Sequence, residues 1–221
     1  MDNAALEQAL LEGAGALGID VDPQSAKRLI HYQGELLRWN LRVNLVGRAS
    51  LPREVMEKHL LDCLAVVPEV SSAATLIDIG AGAGLPGIPL KVLRPTMDVT
   101  LVDSIGKKVA FMRHAILELE LGPGIRVRQT RARGRPTAEQ LPVTDVAISR
   151  AVTALPEWLG LALSYVAPGG QVVAMLSKAE DTAIARIATE IGATVRSVRR
   201  YELPFSRAPR TVAVFQRGSG G

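Results

Sequence analysis

The sequence predicts an α/β fold: a mostly parallel β-sheet with crossover helices and an antiparallel edge strand, preceded by N-terminal helices. From residue 75 onward, short β-rich runs alternate with amphipathic stretches, an order typical of parallel strands joined through helices. Before that point, apolar residues recur at helical spacing. At the end of the chain, two β-rich runs are separated only by the short segment 204–209, which predicts an antiparallel pair.

Residues 1–70 are predicted to form three helices. Gly18 ends the apolar stripe of the first helix, and Asp22–Pro23 is a typical N-cap and first-turn pair for the second. Pro52 begins the third, in which apolar residues again recur at helical spacing. Since no single helix can bury its stripe alone, we expect this N-terminal extension to pack on a core domain at residues 71–217.

The predicted core domain holds seven strands and four longer helices. The strands are expected at 76–79, 99–102, 125–129, 143–148, 171–176, 194–201 and 211–215, and the helices at 86–94, 106–121, 154–166 and 180–191. Pro168–Gly169–Gly170 is interpreted as a turn before the fifth strand. The tail at 218–221 is expected to be disordered.

Composition excludes several kinds of protein. Of the 221 residues, 48% are hydrophobic and 22% are charged, which excludes wholesale disorder. Cys63 is the single cysteine, so an internal disulfide framework and a multi-cysteine metal site are excluded. The uncharged stretch 158–177 is interrupted by Pro168–Gly169–Gly170, so we do not expect it to span a membrane. Because the N-terminus lacks the basic flank of a secretory signal, we predict a cytoplasmic protein.

The arginines are unevenly distributed. Although the formal net charge is only +4, five arginines fall within ten residues with no acid between them, at Arg126, Arg128, Arg131, Arg133 and Arg135. A second set lies near the C-terminus. Guanidinium groups match phosphate oxygens, so these sets are compatible with an RNA-binding surface. They are equally compatible with a solvated strand face followed by a loop.

A glycine-rich segment follows the first predicted strand. Gly82, Gly84 and Gly87 satisfy the dinucleotide pattern G-x-G-x-x-G. Asp78, Gly80, Gly82 and Gly84 instead resemble the pattern of S-adenosylmethionine-dependent methyltransferases, an acid two residues before G-x-G-x-G. In both cases the small residues let the backbone approach a ligand at the carboxyl ends of the strands.

Two features favour S-adenosylmethionine over a dinucleotide. Pro86 removes an amide at the start of the following helix that a pyrophosphate would use, whereas S-adenosylmethionine has no phosphate. The terminal antiparallel pair is also more similar to a methyltransferase sheet than to a six-stranded parallel dinucleotide sheet. We therefore predict a Rossmann-like S-adenosylmethionine-dependent methyltransferase sheet, with Gly80 and Gly82 among the cofactor-binding residues.

Two polar residues follow later strands. Asp103 ends the second predicted strand and is suited to accept hydrogen bonds from the two ribose hydroxyls of the cofactor. Capping of the next helix is the alternative role for Asp103. Arg150 comes directly after the fourth predicted strand, where it would face both cofactor and substrate, and a surface salt bridge is the alternative.

Longer motifs extend the resemblance to a known family. The segments 78–89 (DIGAGAGLPGIP), 101–108 (LVDSIGKK) and 148–151 (ISRA) resemble the small-subunit ribosomal RNA guanine-N7 methyltransferases, also called methyltransferase G or glucose-inhibited division protein B. The segments 39–45 and 58–62 match the N-terminal helical portion of the same family. The resemblance thus runs in order along most of the chain.

This resemblance implies transfer of a methyl group from S-adenosylmethionine to N7 of one guanine in 16S rRNA, with naked rRNA or the small ribosomal subunit as partner. It implies cofactor contacts for Gly80 and Leu85, a ribose contact for Asp103 and a place for Arg150 beside the transfer site. The family often has an acid near the adenine after the third strand. Here Ala132–Arg133 occupies that position, so a backbone contact replaces the carboxylate or Arg133 faces RNA.

The chemistry of guanine N7 sets further expectations. Its in-plane lone pair is unprotonated near neutral pH, so we predict no essential general base and expect catalysis through in-line positioning. His59 and Asp62, three residues apart on a helix, are interpreted as structural or RNA-facing. The histidines are scattered, and no metal-binding spacing is present in the sequence.

Three rival functions stay open on sequence alone. A methyltransferase acting on a small molecule would modify a free nucleoside or metabolite. A regulatory module would bind S-adenosylmethionine without turnover, and a dehydrogenase would bind a nicotinamide cofactor. We expect a monomer, because no large exposed apolar helix is predicted.

Overall fold

The structure is a computed structural model that describes residues 2–47, 51–71, 74–150, 152, 154–177 and 180–218. Apart from Gly218, the tail predicted to be disordered lies outside the described residues. The strands are β1 (Thr75–Ile79), β2 (Asp98–Asp103), β3 (Ile125–Gln129), β4 (Thr144–Arg150), β5 (Val166–Leu176), β6 (Ala193–Glu202) and β7 (Pro209–Arg217). They form one sheet in the order β3-β2-β1-β4-β5-β7-β6.

The sheet confirms the predicted architecture. Strands β1 to β5 pair in parallel, and β7 is antiparallel to both β5 and β6, which gives the antiparallel edge. Strand order reverses between β1 and β4, and ligands bind at such a switch point, beyond the carboxyl ends of the strands. Leu176 pairs with Thr211, and Tyr201 pairs with Arg210. The end of β6 and the start of β7 therefore lie at this same carboxyl edge.

One local prediction is wrong. Pro168–Gly169–Gly170 is part of β5 and is not a turn that precedes the strand. The pairing of β4 with β5 shifts register between Thr144 and Val146, and Gly169 has a φ of +78°. Such an irregularity absorbs extra residues within a strand, so the proline and glycines mark a bulge.

The helices surround this sheet. They are α1 (Asn3–Ala16), α2 (Pro23–Asn40), α3 (Pro52–Val55), a π-helical segment (Met56–Leu61), α4 (Asp62–Leu64), a 3₁₀ turn (Val67–Glu69), α5 (Gly87–Leu93), α6 (Gly106–Glu118), α7 (Pro136–Glu139), α8 (Leu155–Leu163) and α9 (Asp181–Ile191). The third predicted helix is thus interrupted by π geometry, which sequence periodicity does not predict.

Two apolar layers hold the sheet between them. The N-terminal helices contribute Leu10, Leu29 and Leu60 to the same buried cluster as Leu76 and Val99 of the sheet. The opposite face is covered by α8 and α9. Because the N-terminal helices share this core, they are positioned to shape the carboxyl edge. Within the part of the chain that the structure describes, no helix is long and apolar enough to cross a membrane.

Candidate cofactor cleft and active site

A buried carboxylate fixes the glycine loop to the sheet. Asp78, near the end of β1, is fully buried, and its Oδ2 accepts a hydrogen bond from the Gly87 amide at 2.9 Å. A Cβ at Gly87 would lie 2.4 Å from Leu101 Cδ2, so only glycine allows α5 to start this close to the strands. Burial raises the pKa of Asp78 to about 7.

The turn itself opens towards the carboxyl edge. Gly80 and Gly82 have φ values of +76° and +60°, a region that favours glycine. Apart from Gly80 itself and its two chain neighbours, no heavy atom of the described chain lies within 4 Å of where a Cβ of Gly80 would stand, so there is free space above this residue. Leu85, further along the loop, is only 3% exposed and packs in the core beneath it.

The Asp103 carboxylate is oriented by two backbone amides, one on each of its oxygens. Its Oδ2 accepts from Gly82 at 3.0 Å, and its Oδ1 accepts from Ile105 at 2.9 Å. Ile105 is the N-cap residue of α6, so the Asp103 side chain also contributes to the start of this helix, as the alternative interpretation expected. Each carboxylate oxygen retains a second lone pair, and Lys108 Nζ lies 4.0 Å from Oδ2. Asp103 is therefore fixed where β2 ends, with acceptor capacity left for hydroxyl groups.

Three of the predicted residues line one cleft. Gly80, Asp103 and Ala132 border a cavity of about 370 Å³, with Trp158 and Leu161 of α8 among the other residues of its wall. The carboxyl ends of three adjacent strands thus form one side of this cavity, and apolar side chains of α8 form the other. This combination fits an adenosine group, with its base against the apolar side and its ribose at the carboxylate.

Arg133 lies beside this cleft rather than in its wall. It borders a neighbouring cavity with Glu139. Its amide donates to Glu139 Oε1 and to the Tyr165 hydroxyl, both at 3.0 Å. Since that amide is already engaged, Ala132 is the better placed of the two residues for a contact with adenine.

The start of α5 is poor in free amides. The Gly87 amide is bound to Asp78, and the Ile88 amide donates to the Gly84 carbonyl at 2.7 Å. Pro86, which has no amide hydrogen, is the N-cap residue. A pyrophosphate would therefore find few donors here, whereas the uncharged adenosine and the amino-acid end of S-adenosylmethionine need none at this position. The residues fit S-adenosylmethionine better than a dinucleotide.

Arg150 lies in a second cavity, across the switch point. This cavity measures about 260 Å³, and its wall includes His59, Asp62, Arg150, Tyr201 and Arg210. Arg150, which is the last residue of β4, points its Nη1 at His59 Nδ1 over 2.7 Å and lies 3.3 Å from the Lys58 carbonyl. The cofactor cleft covers the ends of β1, β2 and β3, and this cavity covers the ends of β4, β5 and β6 and the start of β7.

The electrostatics of the second cavity combine one acid with two arginines. Asp62 Oδ1 accepts from the Tyr201 hydroxyl at 2.7 Å and lies 3.3 Å from Arg210 Nε. Burial raises the pKa of Asp62, and the Tyr201 hydrogen bond and the two arginines act in the opposite direction. Burial and the positive charge of Arg150 lower the pKa of His59 to about 3. The imidazole is therefore neutral and accepts from Arg150.

His59 and Asp62 are the residues whose place the sequence did not predict. They lie in and directly after the π-helical segment, and such segments are frequent at functional sites. The signal that could have found them is the match of residues 58–62 to the family motif.

The two arginine sets differ in the structure. Near the C-terminus most guanidinium groups are engaged, as Arg199 is with Glu69 and Arg207 with Glu202. On β3, Arg126 pairs with Asp98 through contacts of 2.5 and 2.7 Å. The other four are exposed, and among the described residues no carboxylate pairs with them: Arg128, Arg131, Arg133 and Arg135. These four arginines of the first set are therefore available for an anionic partner.

The fold is that of S-adenosylmethionine-dependent methyltransferases. The chain matches the structure of magnesium protoporphyrin IX methyltransferase from Synechocystis PCC 6803, solved with S-adenosylmethionine bound, with a TM-score of 0.62. The two are 15% identical, and the match covers 90% of this chain and 99% of that one. This likeness shows the fold.

Sequence comparison identifies the family. The family model described as rRNA small subunit methyltransferase G matches residues 25–212, and the chain belongs to this family. It is 51% identical over 218 residues to ribosomal RNA small subunit methyltransferase G of Myxococcus xanthus, covering 98% of this chain and 100% of that protein. The protein of the same name from Anaeromyxobacter sp. strain Fw109-5 is 42% identical over 210 residues, covering 95% and 96%.

Proposed function

We propose that this protein transfers a methyl group from S-adenosylmethionine to N7 of a guanine in the 16S rRNA of the small ribosomal subunit. The observation that supports it most directly is the pair of cavities on either side of the switch point, an adenosine-sized cleft that reaches the glycine loop at Gly80 and a basic cavity around Arg150. Because the substrate is ribosomal RNA, we place the enzyme in the cytoplasm, and we propose that it acts as a monomer.

The cofactor-binding residues follow from the first cavity. Gly80 and Gly82 give the loop its open conformation, and Leu85 supports it from the core. Asp103 is proposed to bind the ribose and Ala132 to contact the adenine. Bound there, S-adenosylmethionine supplies a methyl group on a positively charged sulfur. Two predicted residues remain. Arg150 would border the methyl end of the cofactor, and Arg133 would contact the RNA beside the adenine.

N7 methylation removes no proton from the base, so we assign no general base among the residues of the second cavity. The Nδ1 atom of His59 already faces Arg150, and its low pKa keeps the imidazole a weak base. The chain would act by holding the base next to the methyl group, since good alignment alone can supply a large part of a rate enhancement.

The exposed arginines at the end of β3 extend this surface to a polyanion. Arg131 borders both the cofactor cleft and the neighbouring cavity, so the basic group reaches the site itself. We propose that Arg128, Arg131, Arg133 and Arg135 contact rRNA phosphates. Each such contact releases counterions, so binding should weaken steeply with salt.

The decisive experiment is transfer of a labelled methyl group to 16S rRNA and to 30S subunits, followed by mapping of the modified base. We expect label on one guanine N7 in at least one of these substrates and none on free guanosine. Label on free guanosine at a comparable rate would favour the small-molecule methyltransferase. Binding of S-adenosylmethionine without any transfer would favour the regulatory module, and preferential binding of a nicotinamide would favour the dehydrogenase.

A further inference from the structure

One oxygen of a buried carboxylate is left free in the second cavity. Asp62 Oδ1 holds Tyr201 and Arg210, as described above. Among the described residues, no group donates a hydrogen bond to Oδ2, whose nearest cation is Arg150 Nη1 at 4.0 Å. The side chain is only 7% exposed, yet it borders the cavity. This oxygen is not fully buried, so a ligand or water that enters the cavity can use it as an acceptor.

The neighbouring arginine points to the chemistry of that ligand. Arg150 donates through Nη1 to the neutral His59 and to the Lys58 carbonyl, and its side chain is 20% exposed. Among the described residues, no acceptor takes a hydrogen bond from its Nε or Nη2. The cavity therefore holds free guanidinium donors and a free carboxylate acceptor on neighbouring side chains, which approach to 4.0 Å between Arg150 Nη1 and Asp62 Oδ2. Guanine carries the complementary pair on adjacent atoms, the acceptor O6 and the donor N1–H, whereas adenine carries a donor amino group and an acceptor nitrogen.

We propose that Asp62 accepts the N1–H of the target guanine while Arg150 donates to its O6, so that this pair selects guanine and assists the transfer; this rests on the proposed function. The order of atoms in the base agrees with the order of groups in the protein. In guanine, O6 lies between N7 and N1. Arg150 ends β4, which pairs with β1 and so adjoins the glycine loop, and its other neighbour is Asp62, 4.0 Å away.

The carboxylate contact strengthens as the reaction proceeds. The lone pair of N7 forms the new bond to the methyl carbon, and the carbon–sulfur bond breaks with its electron pair left on sulfur. Positive charge moves from the sulfur to the purine ring, and the N1–H becomes more acidic. Its proton stays on N1 but is shared more strongly with Asp62. An interaction that is stronger in the transition state than in the ground state accelerates the chemical step.

The test replaces the target guanosine of the rRNA by inosine or by 2-aminopurine riboside, in single-turnover assays with labelled cofactor. Inosine keeps O6 and N1–H, and 2-aminopurine keeps N7 but lacks both. With the wild-type enzyme we expect inosine to react within about threefold of guanosine and 2-aminopurine to react at least about 100-fold more slowly. Wild-type rates for 2-aminopurine within threefold of guanosine would overturn the proposal, and this arm needs no variant.

The second arm uses Asp62→Asn. We expect it to slow guanosine about 100-fold but 2-aminopurine less than threefold, because the analogue never had the contact. Asp98→Asn is the matched control, since it removes another aspartate–arginine pair at the opposite edge of the sheet. Binding of S-adenosylhomocysteine reports on the folded state of each variant. Equal slowing of both bases by Asp62→Asn would show a merely structural role, and no transfer to unmodified rRNA would refute the proposed function itself.

Discussion

The hydroxyl of Tyr32 in α2 donates a 2.7 Å hydrogen bond to the carbonyl oxygen of Ala83 in the glycine loop. Both groups are buried, and the Tyr32 ring lies 6.0 Å from that of Phe111 in α6. Positive φ values at Gly82 and Gly84 hold the Ala83 peptide between them. An N-terminal helix thus stabilises the conformation of the loop that we assign to the cofactor.

Replacement of this tyrosine is the first prediction. Tyr32→Phe keeps the ring but leaves the Ala83 carbonyl without its donor in a buried place. We expect a loss of about 1–2 kcal/mol in the free energy of unfolding, which for a chain of this size corresponds to a melting temperature lower by about 2–8 °C. Because the affected carbonyl belongs to the loop, S-adenosylhomocysteine should also bind about fivefold more weakly in calorimetry.

The adjacent residue in the same helix provides the control. Gln33 donates from Nε2 to the Pro52 carbonyl at 2.8 Å, and among the described residues no hydrogen bond joins its side chain to the loop. Gln33→Ala should therefore lower stability while cofactor affinity stays within about twofold of wild type. A similar loss of affinity in both variants would mean that general destabilisation, and not the loop contact, sets the binding.

A second prediction concerns the pH dependence of stability. The folded chain holds a proton on Asp78 up to about pH 7, because burial raises the pKa, whereas the unfolded chain releases it near the ordinary value of 3.8. Between these pH values the folded state binds more protons, so the free energy of unfolding falls as pH rises. The contribution is up to about 4 kcal/mol, at about 1.4 kcal/mol for each pKa unit.

Asp78→Asn removes this titration while it keeps an acceptor for the Gly87 amide. Urea unfolding at intervals from pH 4 to pH 7 should show that the difference in stability, wild type minus variant, decreases steadily with pH. A difference that stayed constant across this range would show that Asp78 is ionised throughout, in spite of its burial.

Much of the fold was predictable because its signals are local. Runs such as 76–79 and 99–102 are rich in β-branched and apolar residues. The first run begins one residue after β1 does, and the second is one residue shorter than β2 at each end. The bulge in β5 was missed because proline and two glycines have the same local signature in a turn and in an irregular strand. Only the register with β4 distinguishes the two.

The site was predictable only in part. Asp103 and the glycines follow single strands, so the sequence places them at the carboxyl edge. The partner of Asp62 is Tyr201, which lies 139 residues further along the chain. Such a contact depends on tertiary packing and on the π-helical segment, neither of which leaves a period in the sequence. The cavity around Arg150 therefore became visible only in three dimensions.

A third prediction tests the proposed ribose contact. Asp103→Asn keeps one acceptor oxygen but replaces the other by a donor amide, which opposes the Gly82 or the Ile105 N–H. We expect S-adenosylhomocysteine to bind at least about tenfold more weakly, because an acceptor for the ribose is lost and the loop is disturbed. Isothermal titration with the 2′-deoxy analogue separates the two causes. If the ribose contact is real, the variant should discriminate less between the two ligands than the wild type does.

The last prediction concerns the exposed arginines. Arg128 and Arg135 are exposed, neither borders the cofactor cleft, and among the described residues no carboxylate pairs with either. Replacing both by glutamine should weaken rRNA binding and make the slope of log K against log salt shallower by roughly 1.5, since each phosphate contact contributes about 0.7–0.9.

Arg126→Gln is the matched control. The Arg126 guanidinium already pairs with Asp98 on the neighbouring strand, so this substitution should change the slope little. Filter binding of 16S rRNA at several salt concentrations measures both slopes, and S-adenosylhomocysteine affinity should stay at the wild-type value throughout. Identical slopes for the wild type and the double variant would mean that the rRNA contacts this enzyme through another surface.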